Sequence, residues 1–361
     1  MQLSNESNNK QRNPNIDFIR IIGMFSIVIH HSIIHNGLFI KFPNNKEIVL
    51  INILCMWHVG SFGIISGILR NTHKISNLIY LWIIVFFYSL LFYIIFEKLN
   101  ILIVNEKLFS NIFPVAYNKY WYFTSYFGIT PFIPFINSGI SILSQEDIKI
   151  YIYFIIVIFF IWTSIAIDSF RLCNGYSTIS LIIFYILGSY LGKYIFYKKY
   201  SIKYKYFICF LSIITYSFSS FLCYKFYFIM NPSNICKIFK NIFKVGIFSF
   251  PILIQVLSIV CIVSQINFPY IIRYIITFIG PLTFDIYLIH ENEYIRGIYI
   301  ANLFSNISDS MKNIPLLIIK KSLYTFFICI IISYIRNYIF RILYIKKISK
   351  YLECIIYKII I

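Results

Sequence analysis

Apolar segments about 20 residues long recur along this chain from one end to the other, separated by short polar turns. Segment 75–96, for example, contains no charged residue. Hydrophobic residues make up 59% of the chain and charged residues 12%, so too few polar side chains exist to cover a water-soluble globule of this size. The alternating strands typical of an outer-membrane barrel are missing as well. These features predict an all-α polytopic membrane protein.

We predict a bundle of about ten transmembrane helices and no soluble domain, because a helix needs about 20 apolar residues to cross a bilayer. Residues 1–15 are predicted to form a disordered polar tail, 16–345 the transmembrane domain, and 346–361 a basic tail. The predicted spans are 16–35, 49–69, 75–96, 120–143, 150–167, 176–192, 206–224, 245–266, 270–290 and 316–335.

The basic residues predict an orientation rather than a nucleic-acid partner. The formal net charge is +19, but most lysines and arginines lie in short loops between apolar spans, where anionic lipid headgroups attract them. The loop that contains Lys198–Lys205 and the tail that starts at Arg336 are the most basic segments. By the positive-inside rule, both termini are predicted to be cytoplasmic.

The cysteines do not indicate a metal centre. None of the eight belongs to a CxxC pair or to a Cys/His cluster, and most lie in apolar runs, where cysteine acts as a small hydrophobic residue. The sequence therefore predicts no metal site.

The first span carries an unusual set of polar residues. At 100° per residue, Arg20 and His31 are separated by three turns and about 20°, so they share one helix face about 16 Å apart. His35 lies one turn further on nearly the same face, whereas His30 points about 100° away.

Two interpretations of this face stay open. In the first, Arg20 simply reaches the membrane surface and pairs with Asp17 while the histidines bond within the core. Alternatively, His31 accepts a proton from a hydroxyl group, a task that imidazole performs near neutral pH. A hydrophobic residue would be cheaper than histidine at this depth, which favours the second interpretation.

The second span combines small residues with a histidine. Gly60, Gly63, Ser66 and Gly67 recur at three- and four-residue spacing, which predicts close packing against another helix. His58 lies in mid-span. The basic turn that follows contains Arg70, His73 and Lys74, which would either hold a phosphate or anchor the chain at the membrane surface.

Two later segments add further candidates. The run Trp121-Tyr122-Phe123 opens the fourth span and is typical either of an aromatic belt or of a surface that stacks on a sugar ring. The ninth span brings Asp285 into the membrane and ends with His290 and Glu291.

Four blocks, taken in order, resemble the signatures of the membrane acyltransferase-3 family, and together they cover residues from about 14 to 345. Many members of that family carry two arginines after the Ser-Gly block, where this chain has Arg70, His73 and Lys74. The position of Asp285 is usually occupied by a small residue. The blocks are Asp17-Phe18-Ile19-Arg20 with His30-His31-Ser32, Ile64-Ile65-Ser66-Gly67, Trp121-Tyr122-Phe123, and Thr283 to His290.

The resemblance implies an O-acetyltransferase in the bacterial inner membrane. Such an enzyme takes an acetyl group from cytoplasmic acetyl-CoA, its co-substrate, and places it on a hydroxyl of a surface polysaccharide or of its lipid-linked precursor. The family pattern of an arginine followed by a histidine falls on Arg20 and His31.

The expected roles combine this resemblance with the positions of the residues in the spans. His31 is expected to act as general base, with Arg20 and Asp17 as further catalytic residues. Donor phosphates are expected at Arg70, Lys74 and Arg273. The acceptor is expected at His35, Trp121, His290 and Glu291. A covalent acetyl-His31 intermediate, and a transporter or flippase for a lipid-linked glycan, stay open as alternatives.

Overall fold

The structure is a computed structural model that describes residues 12–70, 74–101, 108–165, 170–229, 233–305 and 313–360. These residues are mainly helical and contain no strand. The helices are α1 Pro14–His35, α2 Leu38–Lys41, α3 Lys46–Cys55, α4 His58–Leu69, α5 Ile75–Lys98, α6 Leu108–Ile112, α7 Trp121–Ile129, α8 Ile133–Ile142, α9 Gln145–Ile155, α10 Thr163–Ile165, α11 Thr178–Leu191, α12 Ile202–Tyr227, α13 Asn234–Ile242, α14 Phe250–Ser264, α15 Tyr270–Ile279, α16 Thr283–His290, α17 Ile314–Ile342 and α18 Ile345–Ile360.

The predicted all-α polytopic fold is confirmed. Among the described residues, eight helices are long and apolar enough to cross a membrane. Each corresponds to one of the ten predicted spans. Of the other two, 120–143 is a helix in three pieces, α7, a 3-10 turn at Thr130–Phe132 and α8, while 245–266 contains the shorter α14.

Helix α1 has a well-defined start and lies at the centre of the bundle, where many other helices pack against it. Its N-cap, Asn13, accepts hydrogen bonds from the amides of Asn15 and Ile16, and Pro14 supplies a backbone angle suited to the first turn. Helices α3, α4, α14, α15, α16 and α17 all pack against it. The polar residues of α1 are therefore held by neighbours on several sides.

The close packing predicted for the second span is confirmed. The backbones of α4 and α11 approach so closely at Gly67 and Gly188 that a Cβ atom on either residue would overlap main-chain atoms of the other helix. Glycine is thus required on both sides of this contact, as in other membrane helices that pack through small residues.

Helices lie near both ends of the described residues. Helix α1 begins at Pro14, so residues 12–15 precede or open a helix, and residues 1–11 lie outside the described part. The basic segment near the C-terminus forms α18, which packs on α5, and Glu353 accepts a hydrogen bond from the Ser76 amide at 3.0 Å. The cytoplasmic placement of both ends stays a prediction.

Candidate functional site

A cavity of about 530 Å³ runs along α1. Arg20 and His31 both line it, which agrees with the helix face predicted from their spacing, and His30 lines it as well. Along the helix axis, positions 20 and 31 are about 16 Å apart. The cavity therefore joins a basic region near the start of α1, the arginine end, to a cluster of histidines near its last turns, the histidine end.

At the histidine end, α1 meets the end of α16. The His31 Nδ1 atom lies 3.0 Å from Nε2 of His290 and 2.9 Å from Oε1 of Glu291. His35 donates from Nε2 to the same carboxylate oxygen at 2.7 Å. These four residues come from two segments far apart in sequence, so the fold brings together the first and last of the recognised blocks.

The hydrogen bonds determine which nitrogen of His31 is left as an acceptor. His290 donates from Nδ1 to the Ile286 carbonyl at 2.6 Å, so its neutral ring offers only a lone pair at Nε2. Both neighbours of His31 Nδ1 are then acceptors, and Nδ1 must carry the proton. The remaining nitrogen, Nε2, is unprotonated in the neutral ring and can accept a proton from a ligand in the cavity.

Glu291 is held as a carboxylate just beyond the last residue of its membrane-spanning helix. Although its burial acts in the opposite direction, electrostatic attraction to the His31 ring and hydrogen bonds from His31 and His35 lower the pKa of Glu291 well below its ordinary value. Arg296 Nη1 lies 3.4 Å from the second carboxylate oxygen. The Glu291 carboxylate therefore keeps its negative charge next to Nδ1 of His31.

At the arginine end, Asp17 organises two cations. The buried Asp17 carboxylate accepts from Arg20 at 2.8 Å and from both Arg12 Nε and Arg12 Nη2 at 2.8 Å. Gly280 lets the turn before α16 approach, since a Cβ there would lie 2.6 Å from the Asp17 side chain. Arg12 and Arg20 line the cavity, whereas Asp17 does not line it and holds both arginines through these hydrogen bonds.

A second buried ion pair explains Asp285. Its carboxylate pairs with Arg336 of α17, and both residues line the cavity. The tenth span was predicted to end at residue 335, but α17 continues to Ile342, so Arg336 lies within the helix and is buried. A lone aspartate in a span was the signal that could have suggested a cationic partner. Lys346, at the start of α18, also lines the cavity and is exposed.

The cations predicted to bind the donor lie elsewhere. Arg70 donates to the Ser189 carbonyl at 3.0 Å, while Lys74 and Arg273 are exposed. None of the three is among the residues that line the cavity, and His73 lies outside the described residues. Of the cations in the described part of the chain, Arg12, Arg20, Arg336 and Lys346 line it.

Aromatic side chains line another part of the cavity. Trp121 packs edge-on against Tyr176, with ring centroids 4.7 Å apart, and both rings border the cavity. Tyr122 and Tyr126 line it too. The predicted acceptor residue Trp121 therefore faces the same space as His31. Of the other predicted acceptor residues, His290 and Glu291 contact His31, and His35 bonds to Glu291.

Two histidines that the sequence prediction left out of the site also line the cavity. His30 bonds through Nδ1 to Asn52 at 2.7 Å, and its ring centroid lies 5.1 Å from that of His58. His30 was predicted to point away from the site because the face was defined from Arg20 alone. The cavity spans more than one face of α1, so both His30 and His31 line it.

The histidine end also has a spacing that would suit a divalent cation. One ligand atom each from His31, His35 and Glu291 lies within 4.8 Å of the others. The hydrogen bonds described above account for these distances without a metal. The prediction of no metal site stays untested.

The chain was compared with protein families, curated proteins and solved structures. Residues 13–334 match a family described as an acyltransferase domain. No curated protein matches the chain significantly, and no solved structure does. The match covers most of the described helices, Arg20 and His31 included, so this chain belongs to the acyltransferase-3 family of membrane acyltransferases.

Proposed function

We propose that this protein is an O-acetyltransferase of a bacterial cytoplasmic membrane. It would take an acetyl group from acetyl-CoA at the cytoplasmic face and transfer it to a hydroxyl of a surface polysaccharide or of its lipid-linked precursor. The observation that carries the proposal is a single cavity that joins a group of cations to a histidine with a free acceptor nitrogen.

The arginine end suits the phosphates of the donor. Arg12, Arg20, Arg336 and Lys346 border the cavity there, and guanidinium and ammonium groups bind phosphate through charge-assisted hydrogen bonds. The pantetheine arm of CoA is long and mostly uncharged. It would follow the cavity past Met24 and Ile27 of α1 toward the histidines.

The histidine end suits proton transfer during acyl transfer. As the acceptor oxygen attacks the thioester carbonyl carbon, His31 Nε2 takes the hydroxyl proton. The C–S bond then breaks, and the leaving thiolate receives that proton from His31. Glu291 holds the ring in the required tautomer and stabilises the imidazolium formed in between, as the carboxylate does in a Ser-His-Asp triad.

The acceptor would approach over the aromatic rings. Trp121 and Tyr176 form an edge-to-face pair beside the cavity, and such surfaces stack on sugar rings. In the covalent variant of this mechanism, His31 Nε2 attacks the thioester itself and carries the acetyl group until the acceptor arrives.

The test is acetyl transfer by the purified protein in lipid nanodiscs. With radiolabelled acetyl-CoA and isolated surface glycan, we expect CoA release and acetyl ester on the glycan in equal amounts. His31→Gln is the matched control and should form neither. Label that remains on the protein when glycan is omitted would favour the covalent variant. Glycan movement across vesicles without any acetyl transfer would favour the transporter alternative and refute the proposal.

A further inference from the structure

His58 is a buried histidine whose ring nitrogens form no hydrogen bond with any described residue. It is the first residue of α4 and is 1% exposed. Within the described part of the chain, neither Nδ1 nor Nε2 has a hydrogen-bond partner. His58 is also one of the residues that line the cavity, so it borders the space that a ligand would occupy.

The other histidines near His58 are all bonded to protein groups. His30 bonds to Asn52, and His31, His35 and His290 belong to the network around Glu291. Leaving a polar group buried without a partner costs about 1–3 kcal/mol. A leucine or phenylalanine would avoid this cost at position 58. A hydrogen bond to a bound substrate would offset this cost.

The surroundings of His58 select the kind of ligand. Val59, Ile27 and Phe62 also line the cavity, and Val59 and Phe62 lie on α4 with His58. Apolar side chains and imidazole rings suit an uncharged polar atom rather than a phosphate. The His58 and His31 rings flank that of His30, which lies 5.1 Å from the first and 5.6 Å from the second.

We propose that the His58 ring N–H donates a hydrogen bond to the carbonyl oxygen of the donor's thioester. This inference rests on the proposed function. When the acceptor oxygen adds to the carbonyl carbon, an electron pair moves onto that oxygen, and His58 stabilises the resulting oxyanion. The pair returns as the C–S bond breaks. His58 itself forms no covalent bond and exchanges no proton, so it complements His31, which moves the proton.

The first test compares stability without any substrate. In His58→Leu no hydrogen bond is lost and an unpaired polar group is removed, so the melting temperature in detergent should stay the same or rise. His30→Leu is the matched control, because it breaks the bond to Asn52 and should lower the melting temperature. A fall in His58→Leu equal to that in His30→Leu would show a structural role and overturn the inference.

The second test measures the contact with the acyl carbonyl. We expect His58→Leu to lower kcat by about 10²–10³-fold, as loss of one oxyanion donor does, and His58→Gln to recover part of it because its amide can donate. The probe for binding is acetonyl-dethia-CoA, which keeps the carbonyl but replaces the sulfur with carbon. It should stabilise the wild type more than CoA does, and this difference should vanish in His58→Leu.

The outcomes separate this inference from the function on which it rests. If the wild-type protein transfers no acetyl group, the proposed function fails. If the wild type is active and His58→Leu keeps a near-normal kcat, only the assignment of His58 fails. The inference is also overturned if acetonyl-dethia-CoA and CoA stabilise His58→Leu with the same difference as in the wild type.

Discussion

At the histidine end of the cavity, His31, His35 and Glu291 are joined by hydrogen bonds of 2.7–2.9 Å, and Glu291 is buried. At the arginine end, Arg12 and Lys346 are exposed at the rim. The first arrangement fixes the direction of one nitrogen, whereas the second supplies positive charge with less fixed geometry. A proton transfer needs an acceptor nitrogen with a fixed direction, whereas the capture of a polyanion needs only positive charge.

The largest loss of kcat is expected from substitution of Glu291, because its carboxylate fixes the tautomer of His31. In Glu291→Gln the amide can present its NH₂ group to His31 and favour the wrong tautomer, so we expect kcat to fall by about 10³–10⁴-fold. Turnover per folded molecule is the measurement, and KM for acetyl-CoA should change little. An equal loss in kcat and in folded protein would mean that Glu291 serves packing only.

A second prediction concerns the buried ion pair of Asp285 and Arg336. Asp285→Asn leaves the Arg336 charge buried without its counter-ion, so we expect a loss of about 3–5 kcal/mol in the free energy of unfolding. Denaturation in detergent measures the loss. The double variant Asp285→Leu with Arg336→Leu removes both charges and should recover most of it. If the single variant is as stable as the wild type, the pair does not hold α16 and α17 together.

A third prediction addresses the exposed cations of the arginine end. Arg12→Ala with Lys346→Ala should raise KM for acetyl-CoA several-fold at low salt and much less at high salt, because ions screen exposed charges. The comparison variant is Lys74→Ala with Arg273→Ala, two exposed cations that do not line the cavity. A larger effect in this second variant would return donor binding to the residues predicted from the sequence.

The smallest effect is expected from metal removal. Hydrogen bonds account for the spacing of His31, His35 and Glu291, so dialysis against EDTA should leave kcat unchanged. Loss of activity that zinc restores would instead make these residues metal ligands, and the histidine end would then act through a bound cation rather than through a free base.

The sequence allowed the fold to be predicted because lipid imposes a length and a polarity on every span. It also allowed Arg20 and His31 to be placed on one side, since helix geometry fixes the angle between them. The contact of His31 with Glu291 could not be derived this way, because it depends on how α16 packs beside α1. The cations that line the cavity could not be derived for the same reason: Arg70 follows a signature block, but Arg336 and Lys346 reach the cavity only through the path of α17 and α18.

The most direct test of the account is turnover of His31→Gln measured against its folded fraction. If His31 Nε2 is the general base, acetyl transfer per folded molecule should fall by about 10²–10⁴-fold in this variant. The melting temperature and the affinity for CoA should stay close to those of the wild type. Near-normal turnover per folded molecule in His31→Gln would contradict the account, since the proton would then have to leave the acceptor hydroxyl by another route.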